Sequence, residues 1–392
     1  MIKGDGALGH ARKKILAIFG TRPEAIKMAP LVISLREQTE NFDLRVLVTA
    51  QHREMLDQVL TLFRIKPDYD LNIMTEGQAL TEIMIQALQG ITPVLWKEAP
   101  DLVLVHGDTS TTLAGALAAY YQQIPVAHVE AGLRTYRSYS PFPEEMNRRL
   151  TGALAEDHFA PTVRAKQNLV REGIRPERIM VTGNTVIDAL LSVASRPDLA
   201  LPDEMRRIPL SRRVIVVTTH RRENLDGGLR QVYLGIKDLV QEFPDVEVVF
   251  PIHLNPKVRT EACSVLGDLP RVHLLEPLTY ERFVALLRRA FLVLTDSGGI
   301  QEEAPALGKP VLVLRDTTER PEAVAAGTVR LIGTEREKVY RETRNLLCNK
   351  QAYLQMANAR NPYGDGQAAR RITDYLLWKY GFLHRKPEEF EV

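Results

Sequence analysis

The sequence predicts an α/β protein made of two doubly wound parallel sheets, each covered by helices on both faces. Three observations carry this. Short, nearly all-apolar runs alternate with longer stretches of helical periodicity along most of the 392 residues, the pattern of strands buried on both sides. The alternation pauses once, at RPDLALPDEMRRIPLSRR, which is rich in Pro and Arg and weakly periodic, and then restarts; that stretch reads as a linker. The polar residues capable of chemistry fall just after the apolar runs, where open α/β sheets bind their ligands.

In chain order, residues 1–13 are polar and glycine-rich, and their composition predicts a disordered tail. They contain Gly4-Asp5-Gly6-Ala7-Leu8-Gly9, a match to G-x-G-x-x-G. The match precedes the first strand instead of following one, so it is not read as a dinucleotide site. The first domain, 14–190, holds the strands KILAIFG (14–20), LRVLVTA (44–50), DLVLVHGD (101–108) and PVAHVEAG (125–132), with helices such as Ala25–Leu35 and Thr111–Tyr121 between them. The second, 191–365, holds RRVIVVTTH (212–220), VEVVFPIH (246–253), RVHLLEP (271–277), FLVLTD (291–296) and PVLVLRD (310–316). In the segment 366–392, GQAARRITDYLLWKYG has helical spacing, and we expect it to pack back on the first domain.

Composition narrows the function. The charge of +2 gives no basic surface for nucleic acid or membrane, and the 45% hydrophobic and 26% charged content is that of a globular protein. Two cysteines, Cys263 and Cys348, sit far apart in neither metal nor redox spacing, which fits a reducing compartment. No apolar run reaches the length of a membrane span and the N-terminus lacks a signal-peptide core, so the expected location is cytoplasmic. No metal motif, Walker lysine or nucleophile elbow is present, and neither metal nor cofactor is expected.

The segment LTDSGGIQEEAPALGKPVL points to a phosphate. Ser297, Gly298 and Gly299 follow a strand and open a helix, offering backbone N–H groups with no side chain in the way. Arg320 in DTTERPE and Arg22 in FGTRPEAIK supply cations suited to forked phosphate contacts. Glu303 lies one turn into the same helix. It reads either as an acceptor for a ribose diol, which would make the ligand a nucleoside diphosphate, or as an acid favoured by the helix dipole. Asp108 and Glu130 end consecutive strands, Glu144 opens a helix after two prolines, and His220 ends the first strand of the second domain. Three carboxylates and an imidazole suit general acid/base work. Each also has a plainer reading: Asp108 and Glu144 as helix caps, His220 as a satisfied strand-end histidine.

Taken together, these motifs resemble the non-hydrolysing UDP-N-acetylglucosamine 2-epimerases of bacteria. The resemblance runs through FGTRPEAIKMAPL, TAQHREMLDQVL, HGDTSTT, HVEAGLRT, PFPEEMNRRLTG, VTGNTVIDALL, THRREN, PIHLNP, LTDSGGIQEEAPALGKPVLVLRDTTERPEAV and NPYGDGQA, nearly the whole chain beyond residue 13. It implies the glycosyltransferase-B type fold, two facing Rossmann-like domains with a deep interdomain cleft. It implies reversible conversion of UDP-N-acetylglucosamine to UDP-N-acetylmannosamine through 2-acetamidoglucal, supplying cell-surface polysaccharide synthesis. Carried over by motif, Asp108, Glu130 and Glu144 are the acid/base groups, with His220 assisting near the diphosphate. Arg22, Lys27, Ser297, Gly298, Gly299 and Arg320 hold the UDP phosphates, Glu303 the ribose, and Phe283 lines the uracil pocket. An activator site for a second UDP-N-acetylglucosamine would draw on Gln51, His52, Glu144, Arg221 and His253. The chain departs from some relatives at Leu278, in EPLTYERF, where they carry a polar residue. By the same resemblance we expect a homodimer. Two competing readings are a glycosyltransferase on the same fold and a UDP-sugar sensor without turnover; relatives acting on C3- or C6-modified sugars leave the exact sugar open.

Overall fold

The computed structural model describes residues 11–391 apart from 51–52, 74–76 and 226. The tail motif Gly4–Gly9 and the activator candidates Gln51 and His52 therefore lie outside the described residues. The chain divides into two compact units: the residues up to Ala189 together with Gly366–Glu391, and Leu190–Asp365.

The first unit is a parallel sheet of seven strands: β1 (Lys13–Phe19), β2 (Phe42–Val48), β3 (Tyr69–Asp70), β4 (Leu102–His106), β5 (Val126–Val129), β6 (Asp157–Ala160) and β7 (Ile179–Val181). Their order is β3-β2-β1-β4-β5-β6-β7. The second unit holds β8 (Arg213–Thr218), β9 (Val246–Pro251), β10 (Val272–Leu275), β11 (Leu292–Thr295), β12 (Val311–Val313) and β13 (Val329–Leu331). Their order is β10-β9-β8-β11-β12-β13, again parallel throughout. Each sheet is Rossmann-like: the chain works outward from a central strand, then returns and works outward on the other side. The order reverses between β1 and β4 in one sheet and between β8 and β11 in the other, and a crevice opens at such switch points. The registers Ile18 opposite Val105 and Thr218 opposite Thr295 put the strand ends of each pair side by side.

The strands form where apolar runs are buried on both faces: Ile15–Phe19 and Leu102–Val105 are fully inaccessible. Four strands were not foreseen, β3, β6, β7 and β13. They are two to four residues long, too short for a periodicity. Half of β6 is polar: its Asp157 is buried against the Tyr375 hydroxyl at 2.8 Å and the Lys379 ammonium. Those partners lie on the helix Ala368–Lys379, near the end of the chain. That helix meets the helix Arg22–Arg36, where Ser34 Oγ lies 2.8 Å from Thr373 Oγ1, and Tyr375 packs edge-on to Phe159. Among the described residues, no helix is long and apolar enough to cross a membrane.

Candidate active site

At the switch point of the first sheet, β1 runs into the helix Arg22–Arg36 through Gly20 and Thr21. A Cβ at Gly20 would lie 2.1 Å from Thr49 Oγ1, so only glycine fits this close approach. Thr21 caps the helix, and Glu24 completes a capping box. The Glu24 carboxylate is buried. It accepts from the amides of Gly20 and Thr21 at 3.1 and 2.8 Å and from the Thr109 hydroxyl at 2.7 Å, so one carboxylate ties together the helix starts that follow β1 and β4. Burial pushes its pKa up, against these donors. Arg22 opens the helix half-buried, without an acidic partner among the described residues.

Lys27, one turn further along, sits on Glu130. Glu130 ends β5 with φ +60°, a left-handed backbone that non-glycine residues rarely adopt outside functional sites. Its buried carboxylate meets Lys27 Nζ, Arg148 Nη2 at 3.2 Å and Asn184 Nδ2 at 3.0 Å. The same Arg148 Nη2 also donates to Asp108. Burial alone would raise the Glu130 pKa; Lys27 and Arg148 outweigh it and hold the group well below the usual carboxylate range. Asp108 is not the helix cap, because Thr109 takes that position and accepts from the Thr112 amide. Asn147 Nδ2 donates to the Asp108 carbonyl at 3.0 Å.

Asn147 and Arg148 belong to the helix Glu144–Leu154, so Glu144 stands one turn before the residues that touch Asp108. The N-cap of this helix is Pro143, not Glu144, and Glu144 Oε2 is buried without a hydrogen bond. The structure thus gathers Lys27, Asp108 and Glu130 into one network, with Glu144 on the helix that supplies its central arginine. Two neutral imidazoles lie beneath. His106 is pushed down to about 3 by burial, and His128 is pushed well down, its Nε2 donating to the Gly107 carbonyl at 2.7 Å just before Asp108. Arg148, Glu24 and the histidines were not singled out in the sequence. Signals were present for two of them: Thr21-x-x-Glu24 has the spacing of a capping box, and the i+4 spacing of Arg148 from Glu144 shares a helix face.

At the second switch point, β8 is followed by Thr219-His220-Arg221 and β11 by Asp296-Ser297-Gly298. Ser297 caps the helix Gly298–Ala306 without a side-chain bond to it, leaving its first turn uncapped by the chain's own hydroxyl. A Cβ at Gly298 would lie 3.7 Å from Arg221 Nη2, so the Arg221 guanidinium stands over this helix start. Gly299, the next residue, is exposed. Arg320, expected as the phosphate cation, donates through Nε to the buried Glu302. Glu303 lies close enough to Tyr280, one turn before Phe283, that its charge adds to the effect of burial in raising the tyrosine pKa. The Phe283 helix and the Glu303 helix are therefore neighbours. His220 Nδ1 lies 3.1 Å from Asp296, and the His253 ring stacks on His220 with centroids 5.7 Å apart. Asp296 is fully buried and was also not singled out in the sequence.

With this geometry in view, the comparisons with known proteins are consistent. Residues 34–377 match the UDP-N-acetylglucosamine 2-epimerase family model. The chain is 54% identical over 381 residues to the UDP-N-acetylglucosamine 2-epimerase of Bacillus subtilis (strain 168), covering 96% of this chain and 98% of that protein. It is 55% identical over 371 residues to that of Escherichia coli (strain K12), covering 93% and 98%. The crystal structure of UDP-GlcNAc 2-epimerase from Neisseria meningitidis bound to UDP-GlcNAc superposes with a TM-score of 0.86 at 51% identity, over 93% of this chain and all of that one. Such neighbours give the two-domain architecture its glycosyltransferase-B type. On fold, motifs and matches alike, the chain belongs to the UDP-N-acetylglucosamine 2-epimerase family.

Proposed function

We propose that the protein interconverts UDP-N-acetylglucosamine and UDP-N-acetylmannosamine. The C2–H bond breaks as a base takes the proton, and its electron pair becomes the C1–C2 double bond. The C1–O bond breaks with its pair passing to the departing UDP. Return of a proton to the opposite face of C2, with re-addition of UDP at C1, completes the inversion. C2 carries no adjacent carbonyl to stabilise a carbanion, so loss of the proton must be coupled to departure of a stabilised leaving group. Groups that bind the diphosphate therefore also act on the barrier.

The observation that carries this reading is the sharing of one buried Arg148 nitrogen by Asp108 and Glu130, with Lys27 on the latter. A group held ionised by two cations is a poor proton carrier. We assign Asp108 and Glu144 to proton transfer, and Glu130 to holding Lys27 and Arg148 in place and in charge. Glu144 has the chemistry for this role, a carboxylate oxygen that accepts nothing from the protein. The uncapped start of Gly298–Ala306, beneath Arg221, supports diphosphate binding by Ser297, Gly298 and Gly299, assisted by Arg22, Arg320 and His220. Glu303 and Phe283, on neighbouring helices, are assigned the ribose and the uracil. A second UDP-N-acetylglucosamine as activator belongs to the same proposal; its support is that Arg221 and His253 both border His220.

The test is proton NMR of UDP-N-acetylglucosamine with the purified protein in D2O. Deuterium at C2 together with UDP-N-acetylmannosamine is expected. Binding with C2 left protonated would remove the epimerase reading for this substrate.

A further inference from the structure

Among the described residues, every hydrogen-bond partner of the Asp296 carboxylate is a donor. The amides of His220 and Arg221 each approach it at 2.9 Å and Asn224 Nδ2 at 3.2 Å, and His220 Nδ1 completes the set at 3.1 Å. The carboxylate is fully buried. Burial would raise its pKa, but the His220 ring and these amides prevail and hold it below the usual range. An ionised carboxylate only accepts, so the nitrogen facing it must carry the proton. The plane of the same ring is fixed by His253, whose own Nδ1 accepts from the Asn255 amide at 3.1 Å.

We infer that Asp296 is a positioning residue for His220. It holds the proton on Nδ1 and turns Nε2 outward as the nitrogen that meets the substrate, and in the same contact it fixes Arg221 at the start of the Gly298–Ala306 helix. One buried group at the switch point between β8 and β11 thereby sets the orientation of both loops that contribute there. In Asp296→Asn the amide oxygen can keep the Arg221 and Asn224 donors, but its NH2 then faces Nδ1. The imidazole proton moves to Nε2, and the ring presents a donor where it had presented a lone pair.

The functional consequence rests on the assignment of His220 to the epimerisation site, and the test separates the two. Protein labelled with 15N in its histidine rings, free of substrate and at pH 8.5, is examined by long-range 1H–15N NMR, with His220 assigned by its absence in His220→Ala. A proton on Nδ1 is expected, and a proton on Nε2 overturns the inference whether or not the protein has activity. Kinetics with UDP-N-acetylglucosamine form the second arm. Asp296→Asn is expected to lower kcat on the order of 100-fold, the upper end of what loss of a partner that orients a functional histidine costs, with KM within about threefold. In a His220→Ala background the same change is expected to cost no more than about twofold, because a residue acting through His220 has nothing left to act through. A full multiplicative loss there overturns the inference. If Asp296→Asn does not fold, the NMR of the unaltered protein decides. If the unaltered protein binds UDP without turnover, the functional reading fails and the tautomer result still stands.

Discussion

Glu130 carries its charge inside a ring of donors from Lys27, Arg148 and Asn184, on a backbone with φ +60°. Replacing it with glutamine leaves the buried Arg148 and the half-buried Lys27 facing a neutral amide. Removing one member of such a cluster costs about 3 kcal/mol, so Glu130→Gln should lower the denaturant midpoint as well as turnover. Unchanged stability with lost turnover would instead make Glu130 a proton carrier. Arg148→Met removes the nitrogen shared by Asp108 and Glu130 and should lower kcat on the order of 100-fold, because Asp108 then faces Glu130 without its cation while Glu130 keeps only Lys27; a smaller effect on KM is expected because Arg148 is buried. The histidines set the acid limit of stability. Unfolded, they bind protons below 6.5, whereas folded His106 and His158 stay neutral down to about 3 and about 4. The unfolded state thus holds more protons throughout that window, and stability falls as pH drops below 6.5, by about 2 kcal/mol at pH 5 for each imidazole that stays neutral. Glu130, depressed in the folded state, adds a loss as pH falls below the ordinary 4.5. Urea midpoints measured from pH 7.5 to pH 5 should decline; a flat profile would mean that these imidazoles are solvated.

The helix Gly298–Ala306 separates a structural role from a binding role. A methyl at Gly298 meets nothing closer than 3.7 Å, and alanine favours a helix over glycine. Gly298→Ala should therefore leave the melting temperature unchanged or slightly raised, while weakening UDP binding on the order of 10-fold by placing a Cβ where the phosphate approaches the amides. Calorimetric titration with UDP reads this directly, and unaltered affinity would place the diphosphate elsewhere. This element was legible in the sequence because strand, glycines and helix are contiguous. The helix Glu144–Leu154 was legible only in part. Its first residue drew notice as an acid, but its role as the carrier of Arg148 depends on which strands it lies against. The short strands β3, β6, β7 and β13 went unread for a related reason: a strand of two to four residues is held by its neighbours, not by its own pattern.

For the whole molecule, the chain ends by returning to the unit in which it begins. The helix Ala368–Lys379 satisfies buried Asp157 and packs Tyr375 against Phe159. Removing residues 366–391 would take the Tyr375 and Lys379 partners from Asp157 and uncover apolar surface, so the truncated chain should be insoluble or melt well below the full one. The proposed homodimer is supported by exposed Trp96, Tyr120 and Tyr121. These lie near the ends of two packed helices, where the Gln122 amide reaches the Thr92 carbonyl. Sedimentation of Trp96→Asp beside the unaltered protein should show a shift towards monomer if that face is the interface. The sequence by itself determined that there are two parallel sheets and that reactive side chains stand at their strand ends, because burial on both faces and the break after a strand are local properties of the chain. Only the tertiary structure decided which strand ends meet. Strand order puts β1, β4 and β5 side by side and β8 beside β11, bringing Lys27 to Glu130 and Asp296 to His220 across separations of 103 and 76 residues. Periodicity reports that a strand is buried and carries no record of which strand lies next to it, so contacts made across a switch point have no local trace in the sequence.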